Sequence, residues 1–296
     1  MQESGMRLLA FVRKHCEGNS SVKGLKRAIE GKGCKINGRV ETFSTRILKA
    51  GDVVQLEVVK SEKRASLVFL YEDQDLIVCD KPAGLVCDQK NFPAKLVHRL
   101  DKETSGVLIL AKREEIYQKM VELFSEKKVK KHYLALVDGE VRKKEGRIQN
   151  RLSKKHSYQG QTIYASSVKG EEAITLWTCL GTHAGVSLIL CEPITGRTHQ
   201  LRVHMKEMGH PILGDHQYGT HFKSKLSPKR HLLHATKISF PHPKGEGIVE
   251  VLSPLPGDFL ETLKLASMTH LVQPFYKEKE QDSRSKRGDH KNIKKV

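Results

Sequence analysis

The chain has 296 residues, 38% of them hydrophobic, with 52 Lys and Arg against 34 Asp and Glu, a formal net charge of +18. That length suits one sizeable domain with a smaller one, the recurring apolar runs argue against a disordered chain, and the charge calls for a polyanionic partner, nucleic acid before a membrane surface. The six cysteines (Cys16, Cys34, Cys79, Cys87, Cys179, Cys191) form no CxxC pair, and no run reaches the roughly 18 apolar residues of a membrane span, so a zinc site, a disulfide scaffold and a membrane anchor are all disfavoured and a soluble, cytoplasmic protein is expected.

Residues 1–60 read as a small module. Leu8, Leu9, Phe11 and Val12 give one apolar helical face. Ser20 or Ser21 is placed to cap a second helix, in which Val22, Leu25, Ala28 and Ile29 follow helical spacing until Gly31 and Gly33 stop it. Asn37-Gly38, flanked by Cys34-Lys35-Ile36 and Arg39-Val40, is a strong hairpin signal, and residues 53–59 alternate like a strand. Lys23, Lys26, Arg27, Lys32, Lys35 and Arg39 make the module basic, either as a solvated face or as a nucleic-acid contact. Polar residues 61–66 suit a linker, and residues 67–272 form the second domain.

In that domain two apolar runs, 67–71 and 76–79, flank the acidic turn Glu72-Asp73-Gln74-Asp75 and predict a hairpin. Lys81-Pro82-Ala83-Gly84 makes a tight loop. Next comes a loop that crowds His98, Arg99, Asp101, Lys102 and Glu103 immediately before the apolar run 106–111, which suits a buried strand. Charge held against a core is costly unless paired, so this loop is either an ion-pair knot or a reactive site. Residues 114–124 read as a helix and 133–137 as a strand; residues 140–170 show no order that can be assigned. Strands follow at 173–180 and 186–191, then a helix over 198–208 closed by Gly209, with His199 and Arg202 three apart on one face. The last structured pieces are 231–235, 238–243 and a helix near 259–265; residues 273–296 are charged, net basic and read as a disordered tail.

Fifteen histidines raise the question of metal, but His199 and His204 are five apart, not the three or four that share a helical face. No Walker loop, GxGxxG or GxSxG occurs, so no metal or nucleotide cofactor is expected. Asp101, Tyr133 and Arg202 remain as scattered polar groups of complementary chemistry. An arginine can fork onto a carboxylate, and a tyrosine offers a flat face to a base. Spacing alone does not bring them together.

The motif His98-Arg99-Leu100-Asp101 with Thr104-Ser105-Gly106 resembles the signature of the RluA family of pseudouridine synthases. Lys81-Pro82-Ala83-Gly84, the tyrosine strand from Lys131 to Val137, the segment Thr195-Gly196-Arg197-Thr198-His199-Gln200-Leu201-Arg202-Val203-His204, the segment from Gly209 to Asp215 and Leu233-His234-Ala235 are similar to further family motifs, in the family's order. The helix-helix-hairpin order of residues 1–60 resembles an S4-type RNA-binding domain, though Val22 and Lys23 stand where that domain usually has Arg. The resemblance implies an α+β fold with a mixed, mainly antiparallel sheet and flanking helices, preceded by the S4-like module. It implies isomerisation of uridine to pseudouridine in RNA without cofactor or metal, by a monomer. Asp101 would be the catalytic carboxylate and Arg202 its partner. Tyr133 would pack on the base, Leu201 nearby, and Arg99 would enter the gap left by the flipped nucleotide, with His98 as a further RNA contact. Large-subunit ribosomal RNA is the first expected substrate and transfer RNA the alternative. A non-catalytic RNA-binding or assembly factor and an N-glycosidase are the readings from other classes.

Overall fold

The computed structural model describes residues 5–16, 22–57, 67–158, 161–219, 221–245 and 247–276. The Ser20 and Ser21 cap, the linker and residues 277–296 of the expected tail lie outside them, as do the side chains of Lys23 and Lys32. Residues 273–276, expected to open that tail, are instead helical, because Phe275 and Tyr276 pack on the core and the Tyr276 hydroxyl donates to the Ser253 carbonyl. The chain divides into two compact units, Met1–Ser66 and Leu67–Val296.

The first unit packs helices α1 (Leu8–His15) and α2 (Val22–Ala28, continued by a π-turn over Ile29–Gly33) on a three-stranded antiparallel sheet of β1 (Cys34–Ile36), β2 (Arg39–Val40) and β3 (Val54–Leu56), with β1 central. Leu8, Val12, Leu25, Ile29, Cys34, Ile36 and Leu48 form its core. Asn37 and Gly38 have φ of 51° and 77°, so the β1–β2 hairpin turns through two left-handed residues as its sequence requires.

In the second unit an 11-stranded sheet runs β10-β9-β11-β12-β8-β13-β7-β5-β4, with β14 beside β13 and β6 beside β7. Its strands are β4 (Val68–Glu72), β5 (Leu76–Lys81), β6 (Lys95–Leu96), β7 (Ser105–Ala111), β8 (Lys130–Asp138), β9 (Glu145–Tyr158), β10 (Gln161–Ser166), β11 (Glu171–His183), β12 (Val186–Pro193), β13 (Leu233–Pro241) and β14 (Ile248–Leu252). The helices are α3 (Glu114–Ser125), α4 (Gln200–Glu207) and α5 (Gly257–Leu265). All pairs are antiparallel except β7 with β13. This is the mixed, mainly antiparallel α+β architecture expected.

Period-two alternation sets the two faces of β8 and β12. Leu134, Leu136, Val186 and Leu188 pack with Phe259 and Leu263 of α5; Ala135, Val137, Ile189 and Cys191 pack with Leu201 and Met205 of α4. Strand β7 is buried at all seven positions, which is why it reads as an unbroken apolar run.

Three further expectations about the elements need correction. Residues 140–170, unassigned from sequence, hold β9 and β10. The inward positions of β9 are Gly146, on which Trp177 lies, Ile148, Asn150 and Leu152, so a glycine and a hydrogen-bonded asparagine interrupt the apolar alternation. Residues 231–243 are not two pieces: β13 is one strand whose register with β8 shifts between Ala235 and Lys237. The helix expected over 198–208 spans Gln200–Glu207, because His199 adopts the left-handed conformation at its N-cap, φ 57°.

Candidate active site

Asp101 lies on the loop between β6 and β7, and that loop is fastened at many points. The Lys81 ammonium, wholly buried, donates to the carbonyls of Pro82, Leu85 and Lys102 at 2.9–3.0 Å. Three acceptors answer its three donors, although burial pulls its pKa down to about 8. Arg230 donates to the Glu103 carbonyl (2.9 Å) while its other nitrogens grip Asp258. The Thr104 hydroxyl pairs with His231 Nε2 (2.9 Å) and the Ser105 hydroxyl with His234 Nδ1 (3.0 Å). At Gly106, φ 114°, a β-carbon would stand 2.1 Å from the Ala235 carbonyl oxygen, so only glycine lets β7 and β13 approach. The loop is thus pinned to both neighbours of β7, and the Asp101 side chain, 22% exposed, is left facing a cleft.

Arg202, on α4, reaches into the same cleft. Its fork does not close on Asp101. Nε and Nη2 donate to the two oxygens of Asp215 at 2.7 and 2.8 Å, Nη2 also donates to Gln217 Oε1 at 2.6 Å, and only Nη1 approaches Asp101, at 3.4 Å from Oδ2. The Tyr218 ring covers the guanidinium at 4.9 Å. Burial disfavours charge on both partners, but their hydrogen bonds and mutual attraction outweigh it: Arg202 is held above, and Asp215 below, its ordinary pKa. The expected Arg202–Asp101 fork is therefore corrected to an Arg202–Asp215 fork with one nitrogen turned to Asp101. Asp215 was visible in sequence as a lone carboxylate ending the run Pro211-Ile212-Leu213-Gly214, which adjoins β8 through Leu213.

Tyr133 and Leu201 line the pocket with Asp101, and Arg99 stands exposed at its mouth. Burial and the negative charge of Asp101 push the Tyr133 hydroxyl above the usual tyrosine range. His98, the expected further RNA contact, has a structural partner as well. Its Nε2 accepts the Ile109 backbone N–H at 3.1 Å, its ring lies against Phe124, and burial pulls its pKa down to about 3. A neutral ring spent on a backbone amide props the loop, at the wall of the basic groove that His98 also lines. His199, Tyr218 and Asp215 entered the site without having been assigned to it from sequence. The pocket opens into a wider groove that carries Arg99, Lys102, Lys127, Lys131 and Arg197, with Asp101, shared with the pocket, as its single carboxylate among the described residues. In the first unit Arg27, Lys35 and Arg39 are exposed, and Lys26 pairs with Glu30 at 3.6 Å.

Among its described residues the pocket brings no three metal-ligating atoms together. Among the described residues, only Asp73, Asp75 and His242 bring three ligand atoms together, and protein groups already answer both carboxylates: Asp75 pairs with Arg113 and Lys244, while Asp73 accepts from Tyr71 and pairs with His242. No helix among the described residues is long and apolar enough to cross a membrane.

The family model described as RNA pseudouridylate synthase matches residues 75–207, which hold Asp101, Tyr133 and Arg202. A protein of Buchnera aphidicola named ribosomal large subunit pseudouridine synthase C is 34% identical over 274 residues, covering 78% of this chain and 87% of its own length. The chain belongs to the RNA pseudouridine synthases. An Escherichia coli protein of the same name is 31% identical over 296 residues, covering 86% of this chain and 90% of its own. The solved structure of human RNA pseudouridylate synthase domain containing 1 is 31% identical with a TM-score of 0.57, covering 67% of this chain and 87% of its own. The enzyme therefore isomerises uridine in RNA to pseudouridine, as the motifs implied.

Proposed function

We propose that this enzyme modifies large-subunit ribosomal RNA and that Asp101 is its catalytic carboxylate. The observation that carries the assignment is the division of labour at Arg202. Asp215 and Gln217 hold the guanidinium in place, so one nitrogen stays near Asp101 without closing a fork on it. Asp101 is thereby kept beside a positive charge yet available to substrate. The reaction breaks the bond between uracil N1 and ribose C1′ and forms one between C5 and C1′; N1 gains a proton and C5 loses one. Nothing is oxidised or lost, so the chemistry calls for no cofactor. Asp101 either attacks C1′ or removes a sugar proton. Tyr133 packs on the detached base as it turns, Leu201 closes the apolar wall, and Arg99 fills the space the extruded nucleotide leaves, offsetting part of an unstacking cost of a few kcal/mol. The S4-like module adds phosphate contacts through Lys26, Arg27, Lys35 and Arg39, with Lys23 and Lys32 assigned to the same face from sequence. The names of the relatives support ribosomal RNA over transfer RNA.

Two measurements test this. Pseudouridine mapping of total RNA with and without the protein should show sites lost from large-subunit ribosomal RNA; loss confined to transfer RNA would transfer the substrate assignment. Asp101→Asn should abolish pseudouridine formation while RNA affinity changes less than about tenfold, roughly 1.4 kcal/mol. A stable, RNA-binding Asp101→Asn protein that still makes pseudouridine would end the catalytic assignment.

A further inference from the structure

The cleft holds a histidine whose side chain takes no part in the Arg202–Asp215 fork and gives α4 no cap hydrogen bond. His199 occupies the left-handed region, φ 57° and ψ 16°, which is uncommon for a residue with a β-carbon but which histidine, like asparagine, enters more readily than most. Its ring is held edge-on between Tyr164 and Tyr218, with centroids 5.5 and 5.6 Å away. Nδ1 lies 2.8 Å from the Tyr218 hydroxyl oxygen, and that oxygen accepts the Tyr164 backbone N–H at 3.0 Å. Among the described residues Nδ1 is the one acceptor within reach of the Tyr218 hydroxyl proton. Tyr218 therefore donates to Nδ1, and the neutral ring carries its own proton on Nε2. Burial favours that neutral form, with the Asp101 charge offsetting it in part. Nε2 faces Oδ1 of Asp101 across 3.9 Å, too far for a hydrogen bond between them. An oxygen atom set to the side of the line between them, on the cleft side, can lie about 2.8 Å from each and so bridge the two.

We propose that His199 Nε2–H and the Asp101 carboxylate together hold the ribose 2′-hydroxyl of the target nucleotide, so that His199 contacts substrate and selects ribose over deoxyribose. An N–H donor beside a carboxylate acceptor suits a group that accepts and donates at one atom, which a hydroxyl does. A uracil carbonyl only accepts, the uracil N3–H only donates, and Asp101 repels a phosphate. Within an RNA strand the 3′ and 5′ oxygens are esterified, so the 2′-hydroxyl is the free hydroxyl of the nucleotide. It sits on the carbon next to C1′, so a carboxylate that holds it is beside the sugar atoms used in either form of the reaction, C1′ for attack or the adjacent carbon for proton removal. The contact forms and breaks no covalent bond, and it rests on the reading of Asp101 as the catalytic carboxylate.

The test uses the full-length enzyme and two RNAs that differ only at the mapped target, uridine or 2′-deoxyuridine. His199→Asn keeps an amide within reach of the Tyr218 hydroxyl and tolerates the left-handed backbone, but has no donor at the position of Nε2. His199→Gln carries an N–H to that position. The ratio of kcat/KM for the two RNAs is measured, and the ratio of Kd as well, so that a deoxy substrate too slow to turn over still reports. Wild type should favour the ribonucleotide by about tenfold or more, and His199→Asn should cut that preference by about fivefold, the range expected when a polar group loses its partner. His199→Gln should keep most of it. A merely structural role for His199 would slow both RNAs alike and leave the ratio unchanged, which would overturn the proposal, as would a wild type indifferent to the 2′-hydroxyl. Failure of the underlying reading has a different signature: Asp101→Asn would still form pseudouridine, whatever the ratio at His199.

Discussion

Two carboxylates share Arg202, and their burial assigns them different work. Asp215 is 2% exposed and takes two hydrogen bonds from the guanidinium; Asp101 is 22% exposed and takes one long one. Removing one partner of a buried ion pair leaves an uncompensated charge and costs about 3–5 kcal/mol. Asp215→Ala is therefore expected to lower unfolding free energy by that order and to abolish activity, whereas Asp101→Asn should leave the urea midpoint near wild type. Equal loss of stability in the two variants would mean that Asp101, too, is structural. Arg202→Lys should fold less stably and turn over poorly, because an ammonium cannot serve Asp215 bidentately and still reach Asp101.

Among the elements, β7 and β13 decide where the site stands. Their parallel pairing at Ser105 and Gly106 brings two backbones together where no β-carbon fits. Gly106→Ala should destabilise by more than about 2 kcal/mol, since it adds a backbone clash to a positive φ. Gly84→Ala, with a φ of 84° but open space around it, should lose only the conformational term, about 1 kcal/mol. Equal urea midpoints for the two would refute the close-approach argument. Three buried histidines are hydrogen-bonded across the second unit: His204 of α4 with Thr175 of β11 and Asn150 of β9, His231 with Thr104, and His234 of β13 with Ser105 of β7 and the Ser253 carbonyl. Burial pulls each pKa from 6.5 to about 4. A base whose folded pKa is depressed binds fewer protons folded than unfolded, so its contribution is whole above pH 6.5 and is lost as pH falls through 4. Each should contribute a slope of up to about 1.4 kcal/mol per pH unit across that window. Stability measured at pH 7, 6, 5 and 4 should fall steeply below 6, and His204→Gln should shallow the slope by about one proton. A flat profile to pH 4 would show that these rings are solvated.

Over the whole molecule the net charge of +18 has a measurable consequence. Each phosphate neutralised should add about 0.7–0.9 to the slope of log affinity against log salt. Replacing Arg27, Lys35 and Arg39 together by alanine should flatten that slope by about 2–3 if all three meet phosphates. The measurement is RNA binding across a potassium chloride series. An unchanged slope would leave the basic face of the first unit merely solvated.

The linear chain by itself determined the site's ingredients and much of the scaffold. An unbroken apolar run specifies β7, because a strand buried on both faces needs no alternation; Asn37-Gly38 specifies its turn through backbone conformations few other residues accept; and the ordered motifs around Asp101, Tyr133 and Arg202 carried the family and hence the reaction. What the chain could not carry was partnership between residues distant in sequence. Arg202 could fork onto either Asp101 or Asp215, and the positions of β8 and α4 decided for Asp215. His98 and His199 looked alike as polar residues in motifs, yet one ring faces a backbone amide and the other faces the cleft. The β9–β10 hairpin escaped sequence reading because Gly146 makes room for Trp177 and Asn150 bonds to His204, partners that exist only once the sheet has formed. Local backbone preference is written in neighbouring residues; hydrogen-bond and charge partnership is settled by which groups the folded sheet brings within about three ångströms of one another.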